Sequence, residues 1–136
     1  LQQFVIEASN GDLTATANVP IGAPPHAMVS SDSTLYVLSR GSADVRAVRA
    51  ELDGRLTSLQ TTAMDTPSAI DATGTHLYVG SAGSTSVPPR ICAHVVGTDG
   101  TFDVAPAGCV NVAGAVQAMA HGPGVLFVLS RGAGPS

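Results

Sequence analysis

Two cysteines, four histidines and six arginines hold most of the chemistry open to this 136-residue sequence. Cys92 and Cys109 flank the turn signal Asp99-Gly100, on what read as two arms of a hairpin. A two-residue turn there would set Cys92 opposite Ala107, with Cys109 two residues further on and so on the same sheet face. A diagonal pairing, or one bulge near Pro106, brings the sulfurs within bonding reach, and a disulfide is expected. The other reading of the pair is two small buried hydrophobes in a reduced protein. Arg40 and Arg131 recur at equivalent turns, where two guanidiniums could hold an anionic ligand bidentately. Such recurrence also follows simply from duplication of a structural unit. His121 lies at another turn of the same unit as Arg131. His26, His76, His94 and His121 show no His-x-His, His-x₃-His or Cys-x₂-Cys spacing, so neither a metal nor another cofactor is expected. No Gly-x-Ser-x-Gly elbow, phosphate-cradling glycine loop or Walker motif occurs. Asp12, Asp32, Asp53 and Asp99 read as turn residues first, with calcium coordination a remote second reading.

Composition narrows the partners. Net charge is −4 and all six basic residues are arginine, so the clustered basic face of a nucleic-acid binder is missing, as is a polybasic membrane patch. No apolar run approaches the ~20 residues of a membrane-spanning helix. Trp is absent and aromatics make up 4%, which weakens any carbohydrate- or base-stacking role. With 44% hydrophobic and 12% charged residues the chain must fold, and its length allows one ordinary core. It begins with Leu1 rather than Met, as a processed or internal fragment would, so the lack of a signal peptide does not define a compartment.

One stretch, present three times, organises everything else. It runs Leu35-Tyr36-Val37-Leu38-Ser39-Arg40-Gly41, then Leu77-Tyr78-Val79-Gly80-Ser81-Ala82-Gly83, then Leu126-Phe127-Val128-Leu129-Ser130-Arg131-Gly132, at spacings of 42 and 49 residues. Each copy reads as a buried strand ending at a glycine, and the period suits propeller blades rather than helical solenoids. Around it the pattern is regular. A hairpin is expected over residues 1–19 with Asn10-Gly11 as its two-residue turn, both central residues at positive φ. Val45 to Ala50 alternates like a half-solvated strand, Asp53-Gly54 turns, and Leu56 to Thr61 returns. The third round runs Ile91 to Val96, Asp99-Gly100, then Phe102 to Val104 toward Val110-Asn111-Val112. Met28, Met64 and Met119 read as fillers in or near the core.

Naming the four strands of a blade A to D from inside outward, the chain reads C-D-A-B three times, as units of about 1–43, 44–89 and 90–136. The expected class is therefore all-β, with blades of four antiparallel strands in a single propeller segment, either a partial ring or half of a six-bladed ring. Three blades cannot close, since closed propellers use about 4–8. An open array leaves apolar end faces wet, so further blades from the same or another chain are the expected partners, a homo-oligomer included.

At these repeats the sequence resembles the lactonase-like β-propellers, similar to 6-phosphogluconolactonase and related YVTN-type proteins. The resemblance rests on Pro25-His26-Ala27-Met28, Ser31-Asp32, Leu35 to Gly41, Val45 to Val48 and Asp53-Gly54-Arg55-Leu56, and covers nearly the whole chain. It implies a polar cleft at one mouth of the central channel. The matching positions here are His26 at the start of strand A and Arg40 after strand B. Ser68 and Gln117 occupy the His26 place in the other units, Ala82 replaces the arginine in the second, and no acid stands at a matching position. His26 and Arg40 would then supply a general base and a cationic stabiliser for lactone hydrolysis. The plainer reading makes His26 a channel-facing polar residue and pairs Arg40 with a loop carbonyl or Asp44. Three functions follow as expectations: a binding and assembly scaffold first, a lactone hydrolase as the alternative, a structural subunit of a larger extracellular assembly as the third. A disulfide would make the setting extracytoplasmic or secreted.

Overall fold

The computed structural model of the chain describes residues 1–18, 20 and 24–132. Among these, twelve strands form and no helix is long and apolar enough to cross a membrane. The strands are β1 (Gln2–Ile6), β2 (Leu13–Asn18), β3 (Ala27–Ser31), β4 (Thr34–Ser39), β5 (Asp44–Ala50), β6 (Leu56–Ala63), β7 (Pro67–Ala72), β8 (His76–Ser81), β9 (Arg90–Val95), β10 (Gly108–Asn111), β11 (Gly114–Gly122) and β12 (Val125–Gly132). Four antiparallel sheets result, ordered β1-β2, β3-β4-β5-β6, β7-β8-β9-β10 and β11-β12. Two complete blades thus stand between a C-D pair and an A-B pair, as the strand roles required. The first strands of the last three sheets, β3, β7 and β11, lie side by side at the inner edge. Val19 of the first hairpin, residues 21–23 of the following loop and the tail beyond Gly132 lie outside the described residues.

The three organising stretches become β4, β8 and β12, each the second strand of its sheet. Successive side chains point to opposite faces, so each strand serves two interfaces. Tyr36, Leu38, Val45 and Ala47 of the second sheet pack on Ile70, Ala72, Leu77, Val79 and Phe102 of the third. Phe102 meets Tyr36 edge-on at 6.2 Å and His94 edge-on at 5.9 Å between ring centroids. The Gln60 amide bridges the two blades, donating to Phe102 O and accepting from Phe102 N, both at 2.9 Å. The next interface is closer. A Cβ on Gly80 would lie 2.6 Å from Val116 Cγ1, so the third sheet meets the fourth only because β8 carries glycine there.

Four expectations need correction. Strand β5 is not half-solvated: Val45, Ala47 and Val48 are all buried, because a blade is covered on both faces and alternation no longer separates core from water. Met28 is exposed rather than a core filler, since it lies on the outer flank of the second sheet. Asn10-Gly11 is not a two-residue turn. Ile6 pairs with Leu13 across a longer loop; only Gly11 has positive φ (78°), and Asn10 Oδ1 instead accepts the Asp12 amide at 3.0 Å. The loops at Gly54 and Gly100 are five-residue connections in which the amide of the glycine (φ 84° in both) bonds back three residues, to Glu51 O and Gly97 O at 3.0 Å each. Lone glycine at positive φ after a tight turn satisfies the twist without asking the same of asparagine or aspartate. The Thr101 hydroxyl, then its amide, holds the Asp99 carboxyl below its usual range, and the Arg55 amide acts likewise on Asp53.

The fourth correction concerns register. Val96 still bridges Phe102 and the Asp103 amide still donates to Val95 O at 2.9 Å, but residues 104–106 then leave the ladder until the Ala107 amide donates to Ala93 O at 2.7 Å, and the regular D strand is β10 alone. That excursion slides the pairing until Cys92 and Cys109 face each other directly, Cα–Cα 4.1 Å apart, and they form a disulfide. The bond was expected; its direct rather than diagonal geometry comes from more slack than one bulge would provide.

Candidate functional site

At the end of the blades where A strands begin, the carried-over residues sit on surrounding elements without forming one constellation. His26 is exposed; its amide donates to Leu38 O at 2.7 Å, which fixes it beside the close of β4. Arg40, also exposed, opens the loop to β5, and its carbonyl accepts the Ala43 amide at 3.2 Å. Asp44 does not pair with Arg40. As i and i+2 of one strand, Asp44 and Arg46 share a face of β5, and Arg46 donates to Asp44 Oδ2 at 3.5 Å. Ser39 Oγ, Asp44 Oδ1 and Arg46 Nε are buried there without partners among the described residues.

Ser68 is 1% exposed, and its hydroxyl donates to Gly80 O at 3.2 Å. Gln117 is the extra residue of a β-bulge between Val116 and Ala118 and donates to Ala115 O at 3.4 Å. Arg131 is exposed opposite Ala115. Gln117 and Arg131 are thus neighbours on β11 and β12, two sheets away from His26 and Arg40.

His121 belongs to the other end, where A strands turn into B strands. The bulge at Gln117 is what aims it. One extra residue reverses the facing of all that follow, so His121 shares the inward side with Val116 while Ala118 and Ala120 turn outward. Its Nδ1 lies 2.8 Å from Asp71 Oδ2 on the adjacent β7. Asp71 is 6% exposed, whereas the His121 side chain is 44% exposed. The Asp71 carboxylate accepts this bond, so Nδ1 is the donor, and Nε2 is the ring nitrogen that Asp71 does not engage. The ring borders a cleft of about 340 Å³ between the third and fourth sheets, with Thr73, Tyr78, Val125 and Leu126 in its walls. Asp71 was not singled out from sequence. The available signal was its place within Ala69-Ile70-Asp71-Ala72: a carboxylate inside a buried strand must find a partner.

A larger cleft, about 560 Å³, opens at this end between the second and third sheets, near Asp32, Tyr36, Arg49 and Asp99. Arg49 is already committed there to the Asp99 carbonyl, and the Tyr36 hydroxyl donates to Gly100 O at 3.0 Å. Burial pushes the Tyr36 phenol above its ordinary pKa.

No family profile matches the chain, and no curated protein matches it. Among solved structures, one from Bacteroides uniformis ATCC 8492, provisionally designated a 6-phosphogluconolactonase, superposes with a TM-score of 0.76 at 21% identity. The match covers 96% of this chain and 40% of that one. The fold is lactonase-like. At that identity the likeness extends to the fold alone, and this chain spans less than half of its neighbour's length.

Proposed function

We propose that the chain is a segment of a YVTN-type, lactonase-like β-propeller that works chiefly as a binding and assembly scaffold, its two bare flanks receiving further blades. One contrast supports this above all. Tyr36 and Leu38 are 1% and 0% exposed beneath the next sheet, while Phe127 and Leu129, at the same places in the third copy, are each 64% exposed. The opposite flank leaves Phe4, Ile6 and Met28 in solvent. The flanks are also complementary: β11-β12 is an A-B pair lacking C-D, and β1-β2 is a C-D pair lacking A-B. Pairing β12 with the β1 of a second copy, at both ends, would make a ring of six blades, within the range that closes. Blades from a longer chain would use the same surfaces. The disulfide fits an extracytoplasmic or secreted setting.

Light scattering on the purified protein should give twice the single-chain mass, or a stable complex with a blade-bearing partner. Phe127→Asp would place an unpaired charge in that joint and should weaken association on the order of 100-fold. A monomer at all concentrations, melting cooperatively and unaffected by the substitution, overturns the reading.

Lactone hydrolysis at the end where A strands begin is the second reading, favoured by the designation of the structural neighbour. His26 would act as general base and Arg40 would stabilise the developing oxyanion. His26→Ala should then abolish lactone turnover and leave partner binding intact. Absence of lactone hydrolysis by the complete particle removes this reading without touching the scaffold role.

A further inference from the structure

We infer that the Asp71–His121 pair and the cleft beside it form a second site, one that binds small uncharged carboxylic esters and hydrolyses them through a histidine-activated water. Both walls belong to this chain, so the site does not depend on ring closure or on the residues at the other end.

Asp71 is buried and receives Nδ1 at 2.8 Å, which locks the tautomer and the ring orientation. His121 is partly exposed at the cleft, so a water on its Nε2 side is reachable. A mere inter-blade tie would be served as well by burying both partners; here one is buried and the other is left open to a cavity. The walls then define the ligand. Val125 and Leu126 provide an apolar surface, and no arginine lines the cleft among the described residues, so a phosphorylated or carboxylate-bearing substrate would find no counter-charge. Thr73 is already bonded to the backbone of His76. Tyr78 lines the cleft, its ring stacked on His76 at 6.1 Å, and its hydroxyl has no partner among the described residues. That hydroxyl is the donor available to an ester carbonyl oxygen.

The step balances without a further reactant. His121 Nε2 takes a proton from water as the water oxygen bonds the carbonyl carbon, and Tyr78 donates to the oxyanion. The tetrahedral adduct then expels the alkoxide by breaking the acyl C–O bond. The alkoxide takes the proton back from His121, leaving an alcohol and an acid, which loses its proton to solvent. Asp71 touches no reacting atom; it positions the imidazole and stabilises the transient imidazolium.

Ethyl butyrate is a suitable probe, with acid release followed in a pH-stat, because an unactivated ester escapes the background reaction of free imidazoles. The wild-type chain should release acid above the buffer rate, and His121→Gln should lower kcat about 10²–10⁴-fold with KM little changed. Tyr78→Phe keeps the ring stack and should also lower kcat, which guards against a glutamine variant that fails to fold. Asp71→Asn should alter the pH profile of kcat through loss of tautomer control. A wild-type rate equal to buffer overturns the proposal. So does a folded His121→Gln or Tyr78→Phe protein with an unchanged kcat, which would make the pair a structural tie. Activity lost in His26→Ala but kept in His121→Gln would assign the chemistry to the other end and overturn it as well.

Discussion

Leu38→Ala should destabilise the chain by about 2–5 kcal/mol and lower its melting temperature by ~10 °C or more, whereas Leu129→Ala should change stability by no more than ~0.5 kcal/mol. The two leucines hold the same place in the repeated stretch Leu-(Tyr/Phe)-Val-Leu-Ser-Arg-Gly. Leu38 is fully enclosed between the second and third sheets, in a cluster with Tyr36, Val45, Ile70 and Leu77. Removing its branched end opens a cavity among side chains that are themselves pinned, Tyr36 by Gly100 O and Phe102 by the Gln60 amide. Relaxation into that space is limited, which puts the cost toward the upper part of the range. Leu129 meets no such neighbours, because among the described residues no sheet packs on the outer face of β11-β12. Thermal denaturation of dilute single chains measures the difference directly. Repeating it on the assembled particle is informative, because a blade seated on Phe127 and Leu129 should raise the Leu129→Ala cost toward that of Leu38→Ala. Equal and small costs for both variants in the free chain would refute the packing between the two complete blades.

The second large effect is chemical. Replacing Cys92 and Cys109 by serine, or reducing them, should cost about 3 kcal/mol, from a crosslink that closes a separation of 17 residues. Loop entropy matters here because residues 104–106, between the Asp103 and Ala107 amide bonds to β9, lie outside the ladder and would gain freedom on reduction. The loss should be local in character. Phe102, Gln60 and Tyr36 hold the near end of that hairpin independently of the sulfurs, so β10 should fray before β7 and β8 separate. Denaturant midpoints with and without reductant report the magnitude, and amide exchange at Cys109 to Asn111 reports the place. An unchanged midpoint would mean that the outer strand contributes nothing to the blade.

What could be read directly was periodic and local. The threefold stretch, the Asp-Gly turns and the cysteine pair each depend on neighbours in sequence or on a hairpin partner, and strand order followed from them. The places of the turns at Gly54 and Gly100 were legible too, although their length and the positive φ of the glycine were not, and at Asn10-Gly11 the loop is longer and the asparagine bonds Asp12 instead of adopting positive φ. Burial was misjudged where blades stack, because Val45 to Val48 are covered on both faces and alternation carries no signal there.

Side-chain aim across blades required the folded chain. A single bulge at Gln117 turns His121 toward Asp71, 50 residues away, and no pattern in one strand announces which way the next few side chains will point. The same holds for Asp44, given to Arg46 on its own strand rather than to Arg40, and for Cys92 and Cys109, matched by the slack of residues 104–106. Periodicity along a strand determined which sheets form. Contacts between sheets, where one inserted residue reverses a face, decided which polar groups meet.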